Sequence, residues 1–285
     1  MKYESGRIAL TSFVAALVTF AFCEYLIVPY LNSLQYSNTQ WLHLLNYGIS
    51  YLFIRGIYNV SHQQISHRAV FLGYTFSAGL LMYNTAMPSW KNFGMYVSIL
   101  STFHLTEYLG IAFTNPAAVN IKSFFINHSP AYVGAAIMSW LEFFIERYYF
   151  VQMKQNHLIV LIGLILCFCG EMMRKLAIYT AERNFNHIVQ HKKAKNHTLV
   201  THGVYAICRH PSYAGWFYWS IGTQLILQNP ICLLAYAIMS WRFFNERIMA
   251  EEVYLLRFFG QDYVEYQKKV KAGLPFIKGY TEFVN

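Results

Sequence analysis

Long apolar runs separated by short polar connections repeat along the whole chain. Eight of them read as membrane spans: Ile8–Val28, Trp41–Val60, Ala69–Met87, Phe93–Phe113, Pro130–Phe150, His157–Ala181, Pro211–Leu227 and Ile231–Phe244. About 20 apolar residues cross a bilayer core, and a chain there must satisfy its own backbone polar groups, which a helix does. The pattern predicts an all-α, polytopic integral membrane protein with about eight transmembrane helices. The last two runs are short and separated only by Gln228-Asn229-Pro230, which leaves room for a tight helical hairpin and nothing else. After Phe244 the pattern changes. Val253, Leu255, Leu256, Phe258, Phe259, Tyr263 and Tyr266 alternate with Glu251, Glu252, Arg257, Glu265, Lys268 and Lys269. Glu246 to Lys271 therefore reads as a C-terminal cytosolic helix, interrupted near Gly260 and packed on the membrane part. No internal repeat or linker appears, so residues 1–285 read as one domain. Residues 1–181 hold the first six spans, and 182–285 hold a polar loop, the hairpin and the C-terminal helix.

Composition agrees with this picture. Charged residues make up 12% of the chain and hydrophobic ones 56%. Soluble domains carry about 25% charged residues. The run Ile8–Val28 is long enough to span and be retained, so it reads as a membrane helix and not as a cleaved signal. Loop charges set the orientation. With an even number of spans, both termini share a side with Ser61–Arg68, Thr114–Ser129 and Glu182–His210. Those segments carry Arg68, Lys122, Arg183, Lys192, Lys193, Lys195 and Arg209, against Lys91 and Lys154 on the other side. Both termini are expected in the cytosol. The net charge of +9 then reports cytosolic loops and a surface suited to anionic lipid, not nucleic acid. The sequons at Asn59, Asn127 and Asn196 all fall on the cytosolic side, where no glycan is expected. Five cysteines show no metal spacing and read as small apolar fillers, although Cys208 beside Arg209 could be reactive.

The candidate chemistry is concentrated near the C-terminus. The segment Asn184–Tyr213 holds His187, His191, His197, His202 and His210 with Gln190 and Tyr205. A zinc site needs ligands at regular spacing, which these lack, and a polar or nucleotide-like ligand fits better than a solvated basic loop. Pro211 suits the first turn of a helix, whose free N–H groups favour anionic ligand groups. Arg247 and Glu251, four apart, share a helix face. Glu142, Glu146 and Arg174 lie inside apolar spans, where a charge usually pairs or marks a site. Arg174 is expected to point toward the same cavity as Arg247.

The stretch L-V-T-H-G-V-Y-A-I-C-R-H-P-S-Y-A-G-W, Leu199 to Trp216, resembles the isoprenylcysteine carboxyl methyltransferase family. So do the short hairpin, R-F-F-N-E-R-I-M-A-E-E at Arg242–Glu252, G-E-M-M-R-K at Gly170–Lys175, N-F-N-H at Asn184–His187 and L-P-F-I-K-G at Leu274–Gly279. The resemblance implies an enzyme of the endoplasmic reticulum membrane that uses S-adenosylmethionine. Its reaction would methylate the α-carboxylate of a C-terminal farnesyl- or geranylgeranyl-cysteine on prenylated proteins such as small GTPases. By the same resemblance, cofactor contacts fall on Gln190, His197, Thr198, Leu199, Val200, Tyr205, His210, Pro211, Ser212, Tyr213 and Glu251. The substrate-binding arginine falls on Arg247, and Arg174 is expected to assist it. No metal is implied. A sterol-reductase-type enzyme shares the R-H-x-x-Y element but tends to carry Gly-Asp where this chain has Ala214-Gly215-Trp216.

Overall fold

A computed structural model describes residues 3–34, 41–127, 129–193 and 197–280. The described residues are helical, with no strand beyond an isolated parallel bridge between Cys208 and Lys271. The chain divides into two compact units, Met1–His128 and Ser129–Asn285.

The first unit holds α1 (Glu4–Phe22), a wider π turn at Cys23–Ile27, α2 (Val28–Ser33), α3 (Trp41–Ile57), α4 (Val60–Thr85) and α5 (Pro88–Thr114). Its core is Ala9, Phe13, Ala69, Leu72, Leu105, Tyr108, Ala112 and Phe124. Small residues let α4 and α5 touch backbone to backbone: a Cβ on Gly94 would lie 2.5 Å from the Gly79 carbonyl oxygen. Ser61–Arg68, expected as a loop, falls within the first three turns of α4. The cause is local. Asn59 Oδ1 accepts the His62 N–H at 3.0 Å, which starts the helix before its apolar part begins.

The second unit holds α6 (Pro130–Tyr149), α7 (His157–Ala181), α8 (Pro211–Leu227), α9 (Pro230–Phe259) and α10 (Gln261–Lys269). Ser129 caps α6 and Asn156 caps α7 through their side-chain oxygens. Proline occupies the first turn of α6, α8 and α9, where its missing N–H costs nothing. The hairpin at Gln228-Asn229 is as tight as its sequence suggests, with Gln228 in the left-handed region at φ 55°. The eighth apolar run and the segment after it form one continuous helix, α9, which ends at Gly260. Hydropathy saw only its apolar half.

Lys154 corrects the sequence reading more sharply. It was expected in an exposed connection, yet its side chain is fully buried. Its ammonium donates to Glu146 Oε2 at 2.6 Å, to the carbonyls of Leu227 and Gln228 at 3.0 and 2.8 Å, and to Asn229 Oδ1 at 2.9 Å. Glu142 accepts the Ile231 and Cys232 N–H groups at 2.7 and 2.6 Å, which neutralises the positive end of α9. The acids of α6 thus hold the hairpin turn rather than mark a reaction site. Lys154→Met is expected to destabilise the protein by about 3–5 kcal/mol, because it leaves Glu146 buried without its cation. A thermal melt in detergent checks this, and an unchanged melt would refute the assignment.

By length and composition alone, two helical stretches are apolar enough to cross a membrane, Glu4–Ser33 and His157–Asn184, with mean hydropathy 1.9 and 1.8.

Candidate active site

The site begins with glycine. A Cβ on Gly170 of α7 would lie 2.5 Å from the Gly215 carbonyl oxygen of α8, and one on Gly163 would lie 2.8 Å from that of Gly222. These two contacts, seven residues apart on each helix, zip α7 and α8 together as an antiparallel pair. The register carries Arg174 to the first turn of α8. There its Nη1 donates to Ser212 Oγ at 2.6 Å and to the Ser212 carbonyl at 3.2 Å, and the guanidinium lies 4.6 Å from the Trp216 ring centroid. Gly170→Leu is expected to force the pair apart and lower kcat/KM by about 10²-fold, since a shift of about 1 Å in a reacting group costs that much. Wild-type kcat/KM in this variant would contradict the packing argument.

On the other side of α8, α9 presents Arg247 and Glu251. The Tyr213 hydroxyl joins them: it donates to Glu251 Oε2 at 2.5 Å and accepts from Arg247 Nε at 2.9 Å. Arg247 Nη2 also donates to the His187 carbonyl. Nη1 of Arg247 and Oε1 of Glu251 have no partner among the described residues, so each side chain keeps an open edge. The Tyr213 ring is stacked between His210 and Phe244, with centroids 5.6 and 5.4 Å away. Arg174 and Arg247 therefore reach adjacent residues of α8, Ser212 and Tyr213, from two flanking helices. The N-terminus of α8 at Pro211 carries no side-chain cap; Pro211 has no N–H and the Tyr213 and Ala214 N–H groups donate to the His210 carbonyl at 3.1 Å, which leaves the Ser212 N–H for an anionic group.

Behind this node lies a residue that hydropathy and motif spacing did not single out. Glu252 is fully buried and accepts five donors. Oε1 takes Arg209 Nε at 2.9 Å, His210 Nε2 at 2.9 Å and the Tyr263 hydroxyl at 3.0 Å. Oε2 takes Gln267 Nε2 at 3.0 Å and the Tyr280 N–H at 2.8 Å. An ionised carboxylate only accepts, so His210 donates from Nε2 and its Nδ1 faces away, 4.0 Å from Glu251 Oε2. Burial pushes the Glu252 carboxyl up, but the hydrogen bond and charge of His210 and the Arg209 guanidinium outweigh it and hold it below its ordinary value. Arg209 also donates to the carbonyls of Val270 and Lys278. It thus ties the loop before α8 to the C-terminal segment. The only trace of this hub in the sequence was the doubled Glu251-Glu252 opposite Arg209-His210.

The remaining expected cofactor residues line the loop before α8. His197 meets Phe258 and Phe259 edge-on at 5.8 and 5.4 Å. Burial first, and then Lys193, lower its pKa, so it is neutral near pH 7. The Thr198 N–H donates to Asn184 Oδ1 at 3.0 Å, and Leu199 packs on the cluster of Leu256, Tyr263 and Tyr266. The Tyr205 hydroxyl donates to the Ala177 carbonyl at 3.4 Å, and burial raises its pKa. Gln190 is exposed and, among the described residues, bonds the nearby Ile188 carbonyl at 2.9 Å. Val200, next to Leu199, is half-buried. Cys208 is buried, and burial pushes its thiol up to about 11 against the lowering effect of Arg209, so it is not a reactive thiol. Arg242 and Glu246 pair at 2.9 Å in solvent and contribute little.

This arrangement describes a membrane-associated helical enzyme with charged groups of both signs gathered at one end of a helical hairpin. Comparison with known proteins gives the class a family. The profile of the isoprenylcysteine carboxyl methyltransferase family matches residues 161–257. A Tribolium castaneum protein-S-isoprenylcysteine O-methyltransferase is 48% identical over 282 residues, covering 98% of this chain and 99% of its own. The Homo sapiens protein of the same name is 50% identical over 223 residues, 78% of each chain. A solved structure of a eukaryotic intramembrane Ras methyltransferase of this family superposes with a TM-score of 0.90 at 46% identity, covering 97% of this chain and 99% of that one. The chain belongs to the isoprenylcysteine carboxyl methyltransferase family and is an enzyme, a carboxyl O-methyltransferase.

Proposed function

We propose that this chain methylates the α-carboxylate of C-terminal farnesyl- or geranylgeranyl-cysteine on prenylated proteins, small GTPases among them, with S-adenosylmethionine as donor. Residues 1–285 work as a single methyltransferase domain of eight spans in the endoplasmic reticulum membrane, with both termini and the reacting groups on the cytosolic side. The observation that carries the reading is the Arg247–Tyr213–Glu251 node, in which a cation and an anion, each with an open edge, are fixed by one phenol.

The donor set suits S-adenosylmethionine. The open carboxylate oxygen of Glu251 matches its ammonium or hydroxyl groups, and the uncapped start of α8 at His210, Pro211, Ser212 and Tyr213 matches its carboxylate. His197 with its aromatic neighbours, and Gln190, Thr198, Leu199, Val200 and Tyr205 beside them, match the adenosine part. Bound there, the cofactor supplies an activated methyl group on a sulfonium.

The rest of the chemistry falls to the chain. An α-carboxylate has a pKa of about 3.5 and is ionised at neutral pH, so no general base is needed. Arg247 offers Nη1 and the free edge of Nη2 to that carboxylate through charge-assisted hydrogen bonds, and Arg174 supports it through Ser212. Holding the carboxylate oxygen in line with the methyl carbon is the main contribution, because positioning is worth roughly 7–11 kcal/mol. The hydrocarbon tail, worth about 0.8 kcal/mol per CH₂ in lipid, stays in the bilayer. Exposed apolar side chains on α6 and α9, such as Ile137, Leu141, Phe144, Leu234 and Ile238, suit that neighbour.

The test uses purified chain, methyl-labelled S-adenosylmethionine and N-acetyl-S-farnesylcysteine. Base-labile label in the prenylcysteine is expected, and none when its carboxyl is already esterified. Label that enters both substrates equally would overturn the reading. For orientation, no glycan is expected at Asn59 or Asn127, or at Asn196, which lies outside the described residues. A mobility shift after glycosidase treatment would refute the topology.

A further inference from the structure

The first unit carries an open surface pocket of about 320 Å³ that the methyl-transfer chemistry does not use. Tyr47, His67, Arg68, Phe71, Ile126 and Asn127 line it. The lining divides by chemistry: Phe71, Ile126 and the Tyr47 ring are apolar, whereas Arg68, His67 and Asn127 are polar. Arg68 is half-buried in the third turn of α4, and its Nη1 donates to the Ile121 carbonyl at 2.9 Å. Its other donors have no partner among the described residues. No carboxylate faces it. Of the acids in this unit, Glu24 binds His43 at 2.9 Å, Glu4 lies 3.9 Å from His62, and Glu107 is fully buried elsewhere. His67 is fixed beside it, stacked on Tyr51 with centroids 4.0 Å apart and with Nε2 against the Tyr51 carbonyl at 3.3 Å. Lys122 follows directly after the residue that Arg68 bonds.

A held but uncompensated guanidinium next to an apolar wall calls for an anion that brings its own hydrocarbon. We propose that this pocket binds the phosphate of one anionic phospholipid, with Arg68 and Asn127 on the headgroup and an acyl chain along Phe71 and Ile126. Basic pockets among membrane helices on the cytosolic side take such headgroups. The assignment of this end of α4 to the cytosol rests on the loop charges, but binding itself does not depend on it.

The experiment uses the full chain from detergent micelles, analysed by native mass spectrometry with added dioleoyl-phosphatidylinositol or dioleoyl-phosphatidylcholine. One phosphatidylinositol is expected to be retained in preference to phosphatidylcholine. Arg68→Gln is expected to weaken that retention about tenfold, the loss of one charge-assisted contact. Methyl transfer to N-acetyl-S-farnesylcysteine in pure detergent should stay unchanged, which shows that the variant is folded. Should Arg68→Gln not fold, a photoactivatable phosphatidylinositol on the wild type must label the Phe71 or Ile126 segment. Equal retention of both lipids, full retention in Arg68→Gln, or labelling elsewhere would overturn the proposal. Displacement by inorganic phosphate alone at equal concentration would mean a simple anion site and would overturn the lipid.

Discussion

Glu252→Ala is expected to yield protein that is destabilised by about 3–5 kcal/mol and inactive. A membrane protein's cytosolic part has little margin for such a loss, since total stability is commonly about 5–15 kcal/mol. The reason lies in the donor count. Arg209, His210, Tyr263, Gln267 and the Tyr280 N–H all point at one carboxylate, and the Arg209 guanidinium on Oε1 and the Tyr280 N–H on Oε2 can only donate. Glutamine does not substitute well, because in either amide orientation its NH₂ faces a donor. Gly279 closes the hub at φ +85°, where an added Cβ would lie 2.0 Å from Glu252 Oε2. The pH dependence has a definite sign. The folded carboxyl is held below its ordinary value, so its stabilisation is complete above the unfolded pKa of about 4.3 and is lost as pH falls through the folded value. Melting temperature should therefore be level from neutral pH to about 4.3 and fall below it. A fall that begins near pH 6.5 would instead implicate histidine.

Arg247→Ala is expected to lower kcat/KM for the prenylcysteine by about 10²- to 10³-fold. Removing one partner of a buried hydrogen-bonded charge pair costs about 2–5 kcal/mol, and 1.36 kcal/mol is tenfold. The loss should appear in both kcat and the prenylcysteine KM, since the guanidinium both binds and aligns the carboxylate. Arg247→Lys should recover little, because the fork that bonds Tyr213 through Nε and the substrate through the Nη groups has no ammonium equivalent. Steady-state kinetics at saturating donor decide this. A variant within threefold of wild type would transfer the role to Arg174.

Much of this was legible in the sequence, because the physics is local. Apolar run length gave the helices, Gln228-Asn229-Pro230 gave the hairpin and Gly260 gave the break. The i, i+4 spacing placed Arg247 and Glu251 on one face, where Tyr213 joins them. What escaped depends on long-range contact. Hydropathy sees Lys154 as a loop cation, since the carbonyls that surround it come from Leu227 and Gln228, more than seventy positions away. Glu252 read only as one more charge thickening the Arg247–Glu251 cluster, since its donors come from the approach to α8, from α10 and from Tyr280 beyond it. The α7–α8 register was invisible because glycine carries no pattern until its partner helix is known.

The most direct measurement of how the node divides its work is calorimetric binding of S-adenosylmethionine to wild type, Arg247→Ala and Glu251→Ala, with no prenylcysteine present. Arg247→Ala should bind the donor within about threefold of wild type, and Glu251→Ala should bind it at least about tenfold more weakly, the loss of one charged contact. Donor binding lost in Arg247→Ala and kept in Glu251→Ala would reverse the two roles and contradict the account.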